Sequence, residues 1–402
     1  MSCKSLVVAL VVLQPLFSWA QAPIVFAPIA RVDEASLSGL ISHPVILSFD
    51  LAPYGKTLAL LVADSGLRSG LLLVTEEIAT RRILASREIG PLVAPSLRFS
   101  WQVVYASDQR YLVVQDLAAI RVFDATTLAP IRTITDSRGA QQSAPLFITG
   151  ARQTDLFACA FGVEGRQYQL HLTPAQIKVV NVASGDTVGE WAAEDVPQSI
   201  SPDGLLVAVS SSHVQRGVLP VNVFTATGQK VAELIGDFAF KGKADPAKPL
   251  GRVIGSFIGT QEMLLTPDEH FDQTGHSSGY SLQLLRVPDG RIEQILTPQQ
   301  YGPTGLMTIS ADQETALVAS WFFPPEVLAQ PHAPLPASTP KLLTLKRDAA
   351  LRIESVLPME GAGLTTGGGW LEKFRARISS DGSVIAIPQN FGITVLARSP
   401  HP

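Results

Sequence analysis

Apolar and polar positions repeat in one pattern from about residue 40 to the end of the chain. The clearest copy is QSISPDGLLVAVSSS from Gln198, followed after a gap by PVNVFTATGQKVAELI from Pro220. An apolar run ends in Ser-Pro-Asp-Gly, and a second apolar run follows it. After the gap, a third run turns on Ala-Thr-Gly into a fourth. Ser-Pro-Asp-Gly reverses the chain tightly because Pro presets φ, Asp accepts a local backbone bond and Gly tolerates positive φ. The unit therefore predicts four antiparallel strands joined as a meander.

Aligning the first turn of each unit places Tyr54, Asp108, Gln153, Asp203, Thr260, Asp312 and Asp381 as equivalents, in steps of 45 to 69 residues. A four-stranded propeller blade takes roughly 40–50 residues, so even the longest step cannot hold an extra one. The run after each turn is nearly continuously apolar, as in YLVV from Tyr111 and VIAI from Val384. That suits a strand covered on both faces by neighbouring blades. The third run recurs as IRVFDATTLAPIRTI from Ile120, IKVVNVASGDTVGEW from Ile177 and LQLLRVPDGRIEQIL from Leu282. The expected fold class is all-β: a seven-bladed β-propeller of four-stranded antiparallel blades over residues 21–402.

The last unit contains only three strands, RARISS, SVIAI and GITVLA. PIVFAPIARV from Pro23 belongs to no other blade and is apolar and extended in character. Residues near Ile24–Val32 are therefore expected to pair with Gly392–Ala397 and close the ring. Pro28 is tolerated there, because an outermost strand can turn a missing N–H toward solvent.

The Ser-Pro-Asp-Gly and hxVxDxxTG elements resemble the WD40-like and YVTN-type propeller repeats of exported bacterial proteins. The resemblance spans essentially the whole chain after the leader. No repeat carries the Gly-His and Trp-Asp pairs of eukaryotic WD40 blades; the one Gly-His, Gly275–His276, lies in an insertion. Such a resemblance implies a fold, and propellers host many unrelated functions.

Residues 1–20 read as a signal peptide, with Lys4 ahead of an apolar stretch, Leu6 to Leu13, and Ser18-Trp19-Ala20 at a cleavage site. The stretch is short for a membrane span, which needs about 20 residues. A secreted or periplasmic location is expected. Of the two cysteines, Cys3 lies in the leader and Cys159 in the apolar run LFACAF, so a buried, inert thiol and no disulfide are expected. Formal charge is −4, with no basic stripe, which argues against a nucleic-acid partner.

Two insertions, TPDEHFDQTGHSSGY from Thr266 and FFPPEVLAQPHAPLPASTP from Phe322, fall between second and third strands and so share one rim. Loops on a rigid scaffold are where binding concentrates. GHSSG at Gly275–Gly279 matches a nucleophile elbow, but FDQT before it and YSLQ after it are not the strand and helix that elbow needs. His270, His276 and Asp268 are the candidate metal ligands, at a spacing that matches no recurrent zinc pattern. Trp101, Trp191, Trp321 and Trp370 are candidates for a stacking surface, with packing the simpler role for Trp191 and Trp321. No catalytic residue, cofactor or metal is expected.

The expected function is a non-catalytic scaffold, a monomer that binds a protein or glycan on the rim with the long loops. The alternative is an enzyme with its site in the central channel, a lactonase-like hydrolase or quinoprotein-like dehydrogenase. A channel lined by convergent His, Asp and Glu would favour that alternative.

Overall fold

The computed structural model describes residues 25–64, 70–90, 101–106, 109–115, 119–135, 144–151, 153–164, 172–192, 195, 197–211, 213–215, 218–238, 251–268, 282–296, 304–310, 314–320, 341–347, 350–358, 376–389 and 392–399. Seven sheets form along the chain, each with four antiparallel strands, and the short parallel strand Val218–Leu219 extends that of blade 5. Blade 1 is Pro44–Leu51, Thr57–Asp64, Leu71–Glu77 and Arg82–Gly90. Blade 2 is Gln102–Tyr105, Tyr111–Gln115, Ile120–Asp124 and Pro130–Ile134. Blade 3 is Ala144–Gly150, Leu156–Glu164, Leu172–Asn181 and Thr187–Ala192. Blade 4 is Pro197–Ile200, Leu206–Ser210, Val221–Thr225 and Lys230–Leu234. Blade 5 is Gly251–Phe257, Glu262–Asp268, Leu282–Arg286 and Ile292–Leu296. Blade 6 is Thr304–Ile309, Thr315–Ser320, Lys341–Arg347 and Leu351–Pro358. Blade 7 is Arg377–Ile378, Val384–Gln389 and Gly392–Arg398, completed by Phe26–Val32 from the other end of the chain.

Each blade's first strand touches the first strand of the next, and that of blade 7 touches that of blade 1. The first strands thus form a closed inner ring. Seven apolar clusters fill the seven junctions between adjacent blades. The core therefore lies between blades, which is why second strands such as Thr57–Asp64 are buried on both faces.

Ring closure follows the expected pairing. Phe26 lies opposite Arg398 and Val32 opposite Ile393, with a bulge between Pro28 and Ala30. Only Phe26 and Val32 of this strand are buried. Beyond it, Asp33 caps the short helix Glu34–Leu37. Leu37 and Ile41 then join Val32 in the apolar cluster between blades 7 and 1.

The first turn of each blade shows why its sequence recurs. In blade 4 the Ser201 hydroxyl donates to Asp203 (2.6 Å) and accepts from the Leu206 amide (2.9 Å). Blade 7 repeats this with Ser379, Asp381 and Val384 at 2.6 and 2.9 Å. Gly204 and Gly382 have φ of 75° and 71°, in the left-handed region. A Cβ on Gly204 would stand 2.6 Å from Leu156 of blade 3, and one on Gly382 2.7 Å from Thr315 of blade 6. Glycine is required there both for the turn and for the approach of the preceding blade. A second recurrence is a bulge where third and fourth strands pair, at Val122/Phe123, Val179/Val180, Val223/Phe224 and Leu284/Leu285.

Candidate functional site

The two faces of the ring differ in how they are built. One carries the short turns between first and second strands, 52–56, 201–205 and 379–383 among them, and those between third and fourth strands. Neighbouring turns on this face bond to each other: Ser380 N donates to Pro53 O (2.6 Å) and Gln153 N to Pro202 O (2.9 Å). The opposite face receives the connections between second and third strands. The second strands of blades 5 and 6 end there at Asp268 and Ser320, so Thr266–Asp268 belong to a strand, and the rest of the two insertions, within 269–281 and 321–340, lies outside the described residues.

The channel wall is set by polar side chains in otherwise apolar first strands. Ser48 Oγ accepts from Val103 N (3.2 Å), and Asp50 Oδ2 from Tyr105 N (2.8 Å), both across the junction of blades 1 and 2. Gln102 Oε1 accepts from Ile148 N of blade 3 (3.0 Å). Gln198 of blade 4 uses both ends of its amide on blade 5, accepting from Gly255 N (2.7 Å) and donating to Val253 O (3.2 Å). A first strand at the channel has one edge with no strand beside it, and these side chains satisfy its backbone groups. In blade 5 the residues Val218–Leu219 add a short parallel pairing to Gly251 and Arg252 on that same edge.

Asp50 binds three blades together. Its Oδ1 accepts from Arg377 Nε of blade 7 (2.9 Å) while its Oδ2 holds Tyr105 N of blade 2. The Arg377 guanidinium lies over the Phe49 ring, 5.7 Å from its centroid. Tyr105 is buried and its hydroxyl meets Thr57 Oγ1 at 3.3 Å. Burial raises the Tyr105 pKa well above the ordinary value, so the phenol stays neutral. Farther out, Lys178 donates to Thr135 O (3.2 Å), and Gln283 donates to Asp237 O and accepts from Asp237 N, both at 2.8 Å. Third strands thereby grip the exit of the preceding blade.

Among the described residues of the seven first strands, Asp50 is the sole carboxylate, and there is no histidine. No group of three His, Cys, Asp or Glu close enough to hold a metal occurs among the described residues. Asp268 ends the second strand of blade 5, opposite Arg252. His270, His276, the GHSSG segment, Trp321 and Trp370 lie outside the described residues. Trp101 is buried between blades 1 and 2. Trp191 packs against Phe224 of blade 4 with ring centroids 5.7 Å apart. Cys159 is fully buried, and burial pushes its thiol up to about 12. A small void between blades 2 and 3 is lined almost wholly by apolar groups such as Val104, Ile148 and Phe157, which leaves water without partners there.

No protein-family model matches the chain, and no curated protein matches it in sequence. Solved structures do match it in shape. The WD40 repeats of RRP9 superpose with a TM-score of 0.56 at 12% identity, covering 93% of this chain and 100% of that one. The chain has the fold of the WD40 propellers. The WD40 domain of coronin from Toxoplasma gondii gives a TM-score of 0.54 at 9% identity, covering 94% of this chain and 86% of that one. A chain of a mitotic checkpoint complex gives 0.53 at 11% identity, covering 99% and 100%. This WD40 architecture stands here without a Trp-Asp pair, and Ser48, Asp50, Gln102 and Gln198 bond across its blade junctions.

Proposed function

We propose that the chain is an exported, non-catalytic propeller that holds a protein partner on the rim where second and third strands connect. The observation that carries this is the state of Asp50. The one carboxylate of the described first strands has one oxygen bonded to Arg377 and the other to Tyr105 N, so it joins blades rather than facing a substrate. The face of short turns is likewise occupied with blade-to-blade bonds, which leaves the opposite rim as the surface free to vary. A protein partner fits better than a glycan, because Trp101 and Trp191 serve the packing between blades instead of an exposed stacking surface. Export rests on the leader at residues 1–20.

Photo-crosslinking tests the rim. A crosslinking residue at His213 or Gln215, in the connection between second and third strands of blade 4, should capture the partner in the native compartment. The same residue at Tyr54 or Leu205 on the turn face should not. Capture from the turn face alone would refute the assignment. Mass spectrometry of the mature N-terminus tests export, with Gln21 expected first and an intact Met1 contradicting it.

A further inference from the structure

The closing strand fixes where the chain enters the ring. Phe26 lies opposite Arg398 and Val32 opposite Ile393, so the strand runs antiparallel to Gly392–Arg398. Arg398 N donates to Ser383 O (2.8 Å), which places that end of the ladder on the face of short turns. Ser399 N donates to Val25 O (2.7 Å), so Val25 is already tied to blade 7. Phe26 is buried between blades 6 and 7. The chain therefore enters the closed ring at the turn face, opposite the rim assigned to the partner.

Only Gln21, Ala22, Pro23 and Ile24 separate Val25 from the leader bond Ala20–Gln21. Fully extended, that stretch reaches about 17 Å. A peptidase that seats its substrate as an extended strand needs several residues on each side of the bond. With Val25 paired, those residues run straight into the turn face, and the enzyme would have to work against the ring itself. Order of synthesis removes the conflict. The closing strand is the first of the ring's strands to be made, and its partner Gly392–Arg398 is the last. Until that partner arrives, Phe26–Val32 lacks the strand it pairs with.

We propose that the leader is removed while the ring is open and that closure then shields the bond, so processing and closure are ordered steps. This rests on the export reading above. The reaction is hydrolysis: water splits the Ala20–Gln21 amide, leaving a carboxylate on Ala20 and an amino group on Gln21. A chain that closes first keeps its leader on the turn face and is cleaved only through its open population.

The test is cleavage of the refolded precursor, residues 1–402 in detergent micelles, by purified signal peptidase, with the product read by mass. The native sequence should be cleaved at least about tenfold more slowly than a Phe26→Asp, Val32→Asp double variant, whose closing strand cannot bury its two anchors. A Gly-Ser insertion of about ten residues between Ala22 and Pro23 should restore fast cleavage with melting unchanged, because the bond then stands clear of the ring. Equal rates for the native and double-variant chains, or an insertion that leaves cleavage slow, would overturn the ordering and leave the leader in place. No cleavage at Ala20 in any of these chains would overturn the leader reading, and the ordering with it.

Discussion

Replacing Asp50 by Ala removes one side chain and loosens three blades. Tyr105 N loses its acceptor inside a buried strand, and an orphaned buried donor costs about 1–3 kcal/mol. Arg377 loses the partner of its Nε. Breaking a buried ion pair costs about 3–5 kcal/mol when the remaining charge is fully enclosed. The Arg377 side chain is 17% exposed and lies on Phe49, which softens that penalty. Asp50→Ala should therefore destabilise the ring by about 3–4 kcal/mol. Asp50→Asn still accepts from Tyr105 N and should cost about 1–2 kcal/mol, the part owed to charge. A double-mutant cycle with Arg377→Met isolates the pair, with a coupling of about 1.5–3 kcal/mol expected. Urea unfolding followed by tryptophan fluorescence suits this assay, since Trp101 is buried in the junction of blades 1 and 2. A coincident far-UV transition confirms that one cooperative unit is measured. If Asp50→Ala costs less than about 1 kcal/mol, or the coupling is near zero, Asp50 does not join the blades as argued.

Gly204→Ala combines left-handed strain with a Cβ pressed on Leu156 and should cost about 2–4 kcal/mol by urea unfolding; a neutral result would contradict the close packing of blades 3 and 4. Cys159 should resist thiol alkylation at pH 8 until urea unfolds the ring, because burial holds it neutral. Labelling of the native protein, read by mass, would be inconsistent with that burial. At Asp381 burial alone would raise the carboxyl pKa, but hydrogen bonds from Ser379 and Ser383 outweigh it and hold the carboxyl below its usual range. Its stabilisation is therefore present above the unfolded value near pH 4 and lost as pH falls through the lower folded value. Asp381→Asn should accordingly flatten the acid limb of a melting curve measured between about pH 5 and pH 2, and an unchanged limb would show that the turn does not titrate.

Much of the architecture was readable because turn chemistry is local. Ser201, Asp203 and Gly204 make their bonds within six residues of chain, so their types report the turn directly. The closing strand was readable for another reason: blade 7 lacked a fourth strand, and the segment before Val32 lacked a blade. The clasps of the channel wall were not. Asp50 and Arg377 are 327 positions apart, and nothing in either local pattern names the other. The only signal was a polar residue inside an apolar first strand, shared by Ser48, Gln102 and Gln198, which also fits a side chain facing water. Val218–Leu219 stood in what looked like a featureless gap, because a two-residue pairing has no periodicity to read. The sequence candidates at His270 and His276 fall outside the described residues, and Asp268 is placed only as a strand end.

Every functional statement depends on a ring closed by its own first strand, and truncation tests that most directly. Chains beginning at residue 21 and at residue 34 should be compared by urea unfolding and by amide exchange across Gly392–Arg398. The shorter chain loses burial of Phe26 and Val32, about 1.5–3 kcal/mol each, together with the ladder of pairs from Phe26 to Val32. A loss of at least about 4 kcal/mol is expected, with protection of the Gly392–Arg398 amides falling throughout that strand. Equal stability and unchanged protection in the two chains would contradict the closed ring.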